Sequence, residues 1–157
     1  MSVPPTSLHS ALPWRGFLFR YVCATFGLNL LWEIAHLPLY TIWNQSSSAA
    51  LPFAVLHCTL GDVIITIIAL LGSVLILGHS QWPRERYVTV AAATVAAGLA
   101  YTGYSEWLNV YVRKTWAYSD LMPKVMGLGL SPLLQWLIIP TAAFAYLSQR
   151  PPAPDAH

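Results

Sequence analysis

Apolar residues dominate four stretches of this chain, at about 17–43, 53–78, 87–111 and 128–147, separated by polar or proline-rich connections. A helix needs about 20 such residues to cross roughly 30 Å of hydrocarbon, so each stretch is long enough to span a bilayer. The pattern predicts an all-α integral membrane protein, a four-transmembrane-helix bundle over residues 15–149. Residues 1–14, with three prolines, read as a flexible N-terminal tail, and the proline-rich 150–157 as a disordered C-terminal one. The N-terminus lacks the basic and short apolar regions of a cleavable signal, so the first span is expected to stay as an anchor.

The first span departs from the plain apolar pattern. Asn29 to Tyr40 reads N-L-L-W-E-I-A-H-L-P-L-Y, a glutamate, a histidine and an asparagine at membrane depth. A charge at a helix centre costs roughly 2.5–3.5 kcal/mol on insertion scales, so such residues face a bundle interior or a wet cavity. At about 100° per residue, Asn29, Glu33 and His36 lie on one stripe. Pro38 removes a backbone donor and predicts a kink just beyond it. The bland alternative is a glutamate and a histidine that satisfy each other in a structural core.

The other spans repeat the asymmetry. The second carries His57, Cys58, Thr59 and Asp62 in its first third and is purely apolar afterwards. The third opens with small residues, which let helices approach closely, and closes with Tyr101, Thr102, Tyr104, Glu106 and Asn109. Thr102, Glu106, Asn109 and Arg113 fall on one helical stripe. The fourth begins with Ser131, Pro132 and Gln135 and has Pro140 midway. With antiparallel spans all these polar positions collect in one half of the membrane. At 1.5 Å per residue, Glu33 and Asp62 lie roughly 15 Å below that surface.

Lysine and arginine counts give the orientation. Arg15, Arg20, Arg84, Arg86 and Arg150 fall on one side, and Arg113, Lys114 and Lys124 on the other. That excess places both termini in the cytoplasm and the polar half toward the outside. The expected location is the cell's inner membrane, as a multi-pass protein.

Composition narrows the classes. The chain has 157 residues, 56% hydrophobic and 9% charged, against roughly 25% charged in a soluble domain. A net charge of +2 and the lack of any basic run exclude a nucleic-acid partner. The expected partners are the lipid bilayer and a lipid-soluble small molecule, with a homo-oligomer or larger membrane complex left open. Cys23 and Cys58 fall toward opposite membrane faces, and no disulfide is expected.

Three acids enter the spans without a lysine or arginine at equal depth, so they must hold protons or meet a cation. Glu33, Asp62 and Glu106 are the candidate catalytic groups, with Asn29, Tyr104, Asn109 and Gln135 as supporting pocket residues. Glu33, His36, His57, Asp62 and Glu106 together form a candidate ligand set for zinc, iron or manganese. Glu33-x-x-His36 has the spacing of carboxylate-bridged di-metal bundles, although the chain carries that motif only once. The leading expectation is a membrane enzyme with an outward-facing polar pocket, working by acid/base or metal chemistry on a lipid-soluble or membrane-adjacent substrate. The rivals are a proton- or cation-coupled transporter, a haem protein using His36 and His57, and an accessory subunit with a structural polar core.

The topology has a direct test. Cysteines introduced at Ser47 and Ser119 should be labelled from outside the cell, and one at Ser80 should be protected. Labelling of Ser47 and Ser119 from opposite faces would rule out four spans.

Overall fold

A computed structural model describes residues 14–45 and 50–148. The expected tails, apart from Trp14, which opens the first helix, and the middle of the first connection, 46–49, lie outside the described residues. The chain is mostly helical. Helix α1 (Trp14–His36) leads through a 3-10 turn (Leu37–Leu39) into the short α2 (Ile42–Gln45). Then come α3 (Ala50–Leu77), α4 (Tyr87–Trp107), a π-helical turn (Leu108–Val112), a small antiparallel hairpin and α5 (Leu130–Ser148). Helix α1 packs on α3 and α5, and α4 packs on the same two. Three helices, α1 with its 3-10 turn, α3 and α5, are long and apolar enough to cross a membrane. The threonines, Glu106 and the three tyrosines of α4 keep that helix outside the group.

Polar and apolar residues are distributed inside out. The buried positions of α1 are Phe17, Tyr21, Thr25, Asn29, Glu33 and His36, a stripe at helical spacing that turns polar toward its end. In α4 the same stripe runs Val90, Thr94, Gly98, Thr102 and Glu106. Large apolar side chains face outward instead, with Leu75 85% and Ile76 81% exposed. In water such a surface would aggregate, whereas lipid solvates it at no cost.

The end opposite the acids is closed by a dry cluster. Phe17, Tyr21, Leu70, Val90, Ala143 and Phe144 form its centre. Phe17 meets Trp82 edge-on at 4.8 Å, and the Tyr87 hydroxyl donates to the Phe144 carbonyl. The hydroxyls of Thr25, Thr59 and Thr94 bond carbonyls four residues back on their own helices.

The first span differs from the expected single kinked helix. Helix α1 stops at His36, and Pro38, which has no N–H, sits in the 3-10 turn. Tyr40 is extended (φ −115°, ψ 149°) and bridges to Tyr118 of the long connection. That connection is tied down throughout its length. Thr41 N–H donates to Ala117 O, Ser119 N–H to Leu39 O, and the Ser119 hydroxyl to Pro38 O. It ends in the hairpin Lys124–Val125 with Leu128–Gly129, turned by Met126 (φ 51°) and Gly127 (φ 84°), where glycine's freedom is needed. Cys23 and Cys58 are free, and both lie exposed on the outer helix faces, not in the core.

Helix α4 meets α5 at Gly98, where a Cβ would overlap the Trp136 ring. Gly98→Ala should therefore destabilise the protein by about 1–3 kcal/mol through overpacking, read as a lower thermal midpoint in detergent. Gly27→Ala, where nothing lies within 4 Å of the new methyl group, should not lower it.

Candidate functional site

Three helices bring the acids together, and α5 supplies the donor that holds them. Gln135 is buried, and its side-chain nitrogen lies 2.9 Å from Asn29 Oδ1, 3.0 Å from Glu33 Oε1 and 2.9 Å from Asp62 Oδ2. An amide nitrogen carries two hydrogens, so three acceptors cannot each receive a full bond from it. Glu33 and Asp62, from two different helices, thus meet at one amide nitrogen.

Glu33 reaches further with its second oxygen. His36 Nε2 lies 3.0 Å from Glu33 Oε2, one helical turn along α1. His36 Nδ1 lies 3.0 Å from Ser131 Oγ at the start of α5, and Trp32 Nε1 donates to the same oxygen at 3.2 Å. One assignment satisfies every atom. Nε2–H donates to the carboxylate, Nδ1 accepts from the serine hydroxyl, and the serine oxygen accepts from the indole. Glu33, His36 and Ser131 are all less than a tenth exposed, so this chain is dry and held in place.

Glu106 forms a neighbouring centre. The hydroxyl of Tyr118 donates to Glu106 Oε2 at 2.5 Å, and that of Tyr40 lies 3.5 Å from the same oxygen. Burial pushes the Tyr118 phenol up from its ordinary value, and its bond to Glu106 adds to the effect. The phenol therefore remains a neutral donor throughout the physiological range. The π turn starts two residues after Glu106, and it carries Asn109, which bonds Ser105 and Thr115. Such turns often occur at functional sites.

The expected residues divide accordingly. Asn29, Glu33, His36, Asp62 and Gln135 share one network, and Glu106 stands beside it. Tyr104, expected in the pocket, is exposed and lies against Trp107 on the outer face. Asn109 is buried but serves its own turn. His57 is also exposed, stacked on Phe53 at 5.8 Å. The expected ligand set of Glu33, His36, His57, Asp62 and Glu106 is therefore not assembled. Among the described residues no three histidine, cysteine, aspartate or glutamate side chains converge as metal ligands. The reason is geometric: His57 stands about 140° around α3 from Asp62, and His36 already has a partner at each nitrogen.

Four participants were not legible as such in the sequence. Ser131 reads only as a polar residue opening the last span, and Trp32, Tyr40 and Tyr118 resemble ordinary interface aromatics. Ser131 and His36 lie 95 residues apart, and no spacing rule connects them. No known protein family matches the chain, and no characterised protein or solved structure is similar to it.

Tyr118 anchors the long connection to a buried carboxyl group, and this anchor can be removed alone. Tyr118→Phe leaves the Glu106 oxygen with the more distant Tyr40 hydroxyl and should cost about 1–3 kcal/mol in thermal unfolding. Tyr101→Phe, on the exposed face of α4, should stay within about 0.5 kcal/mol of the parent.

Proposed function

We propose that this protein is a small polytopic membrane enzyme doing acid/base chemistry on a lipid-soluble or membrane-adjacent substrate. In this reading α1, α3, α4 and α5 form a four-helix bundle that crosses the cell's inner membrane, with both termini in the cytoplasm and the acids in the outer half. The observation that carries the proposal is the arrangement of His36, hydrogen-bonded at one nitrogen to a carboxylate and at the other to a hydroxyl. A base oriented by an acid and aimed at an exchangeable proton is the basic unit of general acid/base catalysis. Asp62 extends it by bringing a second carboxyl group to the Gln135 nitrogen that also holds Glu33. Glu106, with Tyr118 and Tyr40, supplies a neutral donor pair on the other side. Burial favours such a role, since structural polar cores in membranes cost free energy to keep.

Transport fits less well. A proton or cation path would need polar side chains through the opposite half, but the threonine hydroxyls there bond their own helices and the aromatic cluster closes the end.

Glu33→Gln tests the reading because it keeps the shape of the side chain and removes its ionisable group. Purified protein in lipid vesicles made from the source cell's membranes should convert at least one lipid-phase species, followed by mass spectrometry. Glu33→Gln should fold and lose that conversion by about 10²–10⁴-fold. The double variant Glu33→Leu/His36→Leu deletes the whole pair, a change that cores often tolerate, and should be folded and inactive. Conversion retained in the folded double variant would leave only a structural role for the pair.

A further inference from the structure

An apolar cleft adjoins the Glu33–His36–Ser131 chain. It has a volume of about 320 Å³ and lies between α1 and α5, lined by Leu28, Leu31 and Ala35 on one side and Ile138 and Ala142 on the other. Trp32 belongs to both features: its indole lines the cleft, and its Nε1 donates to Ser131 Oγ. Ser131, Ile138 and Ala142 recur on one face of α5, so the cleft runs away from the serine along the helix. On α5 its lining begins at Ile138, roughly 10 Å along the helix from Ser131 at 1.5 Å per residue. A hydroxyl hydrogen-bonded to an imidazole thus stands beyond one end of an apolar groove, with Trp32 between them.

We propose that Ser131 is a nucleophile and that the substrate is a lipid carboxylic ester whose acyl chain lies in the α1–α5 cleft. This rests on the acid/base reading above and adds a covalent step to it. Hydroxyl, imidazole and carboxylate in hydrogen-bonded series are the arrangement that activates a serine, whichever ring nitrogen faces which partner. Ser131 Oγ forms a bond to the ester carbonyl carbon while its proton passes to His36 Nδ1. Glu33 Oε2, at 3.0 Å, stabilises the imidazolium, and Gln135 holds that carboxylate from its other oxygen. The carbon–oxygen bond to the alcohol then breaks, and the leaving oxygen takes the proton back from Nδ1. The acyl group remains on Ser131 until water attacks it, giving one proton to His36, which returns it to Oγ. Free acid and alcohol are the products, and no oxidant or further cofactor is consumed. Glu33 and Gln135 act through His36 and are positioning residues, while Ser131 and His36 meet the substrate.

Alkyl fluorophosphonates test this without knowledge of the natural ester, because an activated serine displaces their fluoride and keeps the phosphorus. The full-length protein in detergent micelles would be treated with a long-chain alkyl fluorophosphonate or its methyl analogue, then analysed by intact mass and peptide mapping. One adduct per chain, on Ser131, is expected, forming at least tenfold faster with the long-chain probe. Ser131→Ala should take none, and His36→Gln should slow labelling more than 100-fold. An unlabelled wild-type protein, an adduct on any other residue or equal rates with both probes would overturn the proposal. Loss of lipid conversion in Glu33→Gln without any Ser131 adduct would remove the nucleophile and leave the acid/base reading in place. Conversion unaffected by Glu33→Gln would remove that reading as well.

Discussion

A carboxyl group buried between helices must find hydrogen-bond partners inside the protein, and in the polar half of this molecule the side chain of Gln135 supplies them. One amide group touches oxygens from α1 and α3 at once, so three helices are fixed in register about a single point. Everything else in the site is positioned from there. Glu33, held by Gln135 through one oxygen, offers the other to His36, and His36 in turn reaches Ser131, one turn before Gln135 on α5. The network closes on the helix from which it started. Such a loop resists the loss of any one member, because each deletion strands a buried partner.

The two ends of the helix ring solve the same problem in opposite ways. Toward the dry end, polar groups are reduced to hydroxyls that turn back onto their own backbone, and aromatic rings fill the space. Toward the other end, polar groups reach across between helices, and the connections fold back to cover them. The break at His36–Pro38 belongs to this second solution. Had α1 continued as a helix, Tyr40 could not have become extended, bridged to Tyr118 and brought its hydroxyl toward Glu106. The proline frees the backbone groups of Pro38 and Leu39, and the long connection satisfies them through Ser119.

A Ser–His–Glu chain with an apolar cleft alongside also gives meaning to the inside-out surface. A substrate dissolved in lipid would meet the exposed leucines and isoleucines before any polar group, and the cleft between α1 and α5 opens among them. Trp32 links that apolar approach to the serine oxygen. Its mixed character, an apolar body with one donor, suits the boundary between a greasy channel and a polar centre.

Much of the fold was legible because the physics is local. Long apolar runs must be helices when no water is present to bond the backbone. Helical spacing then placed Asn29, Glu33 and His36 on one face of α1, and Thr102 and Glu106 on one face of α4, as the structure has them. The acids drew attention because their burial is costly wherever they go. What the sequence could not decide was which face of each helix turns inward and what stands opposite it. His57 and Tyr104 have the chemistry of site residues, but α3 and α4 are rotated so that both point outward. Ser131 and Tyr118 have unremarkable neighbours in sequence and became members of the site only through contacts 95 and 12 residues away. Periodicity is a property of one helix, whereas a hydrogen bond between helices depends on their rotation and depth relative to each other. Those two quantities are set by packing, and only the tertiary structure contains them.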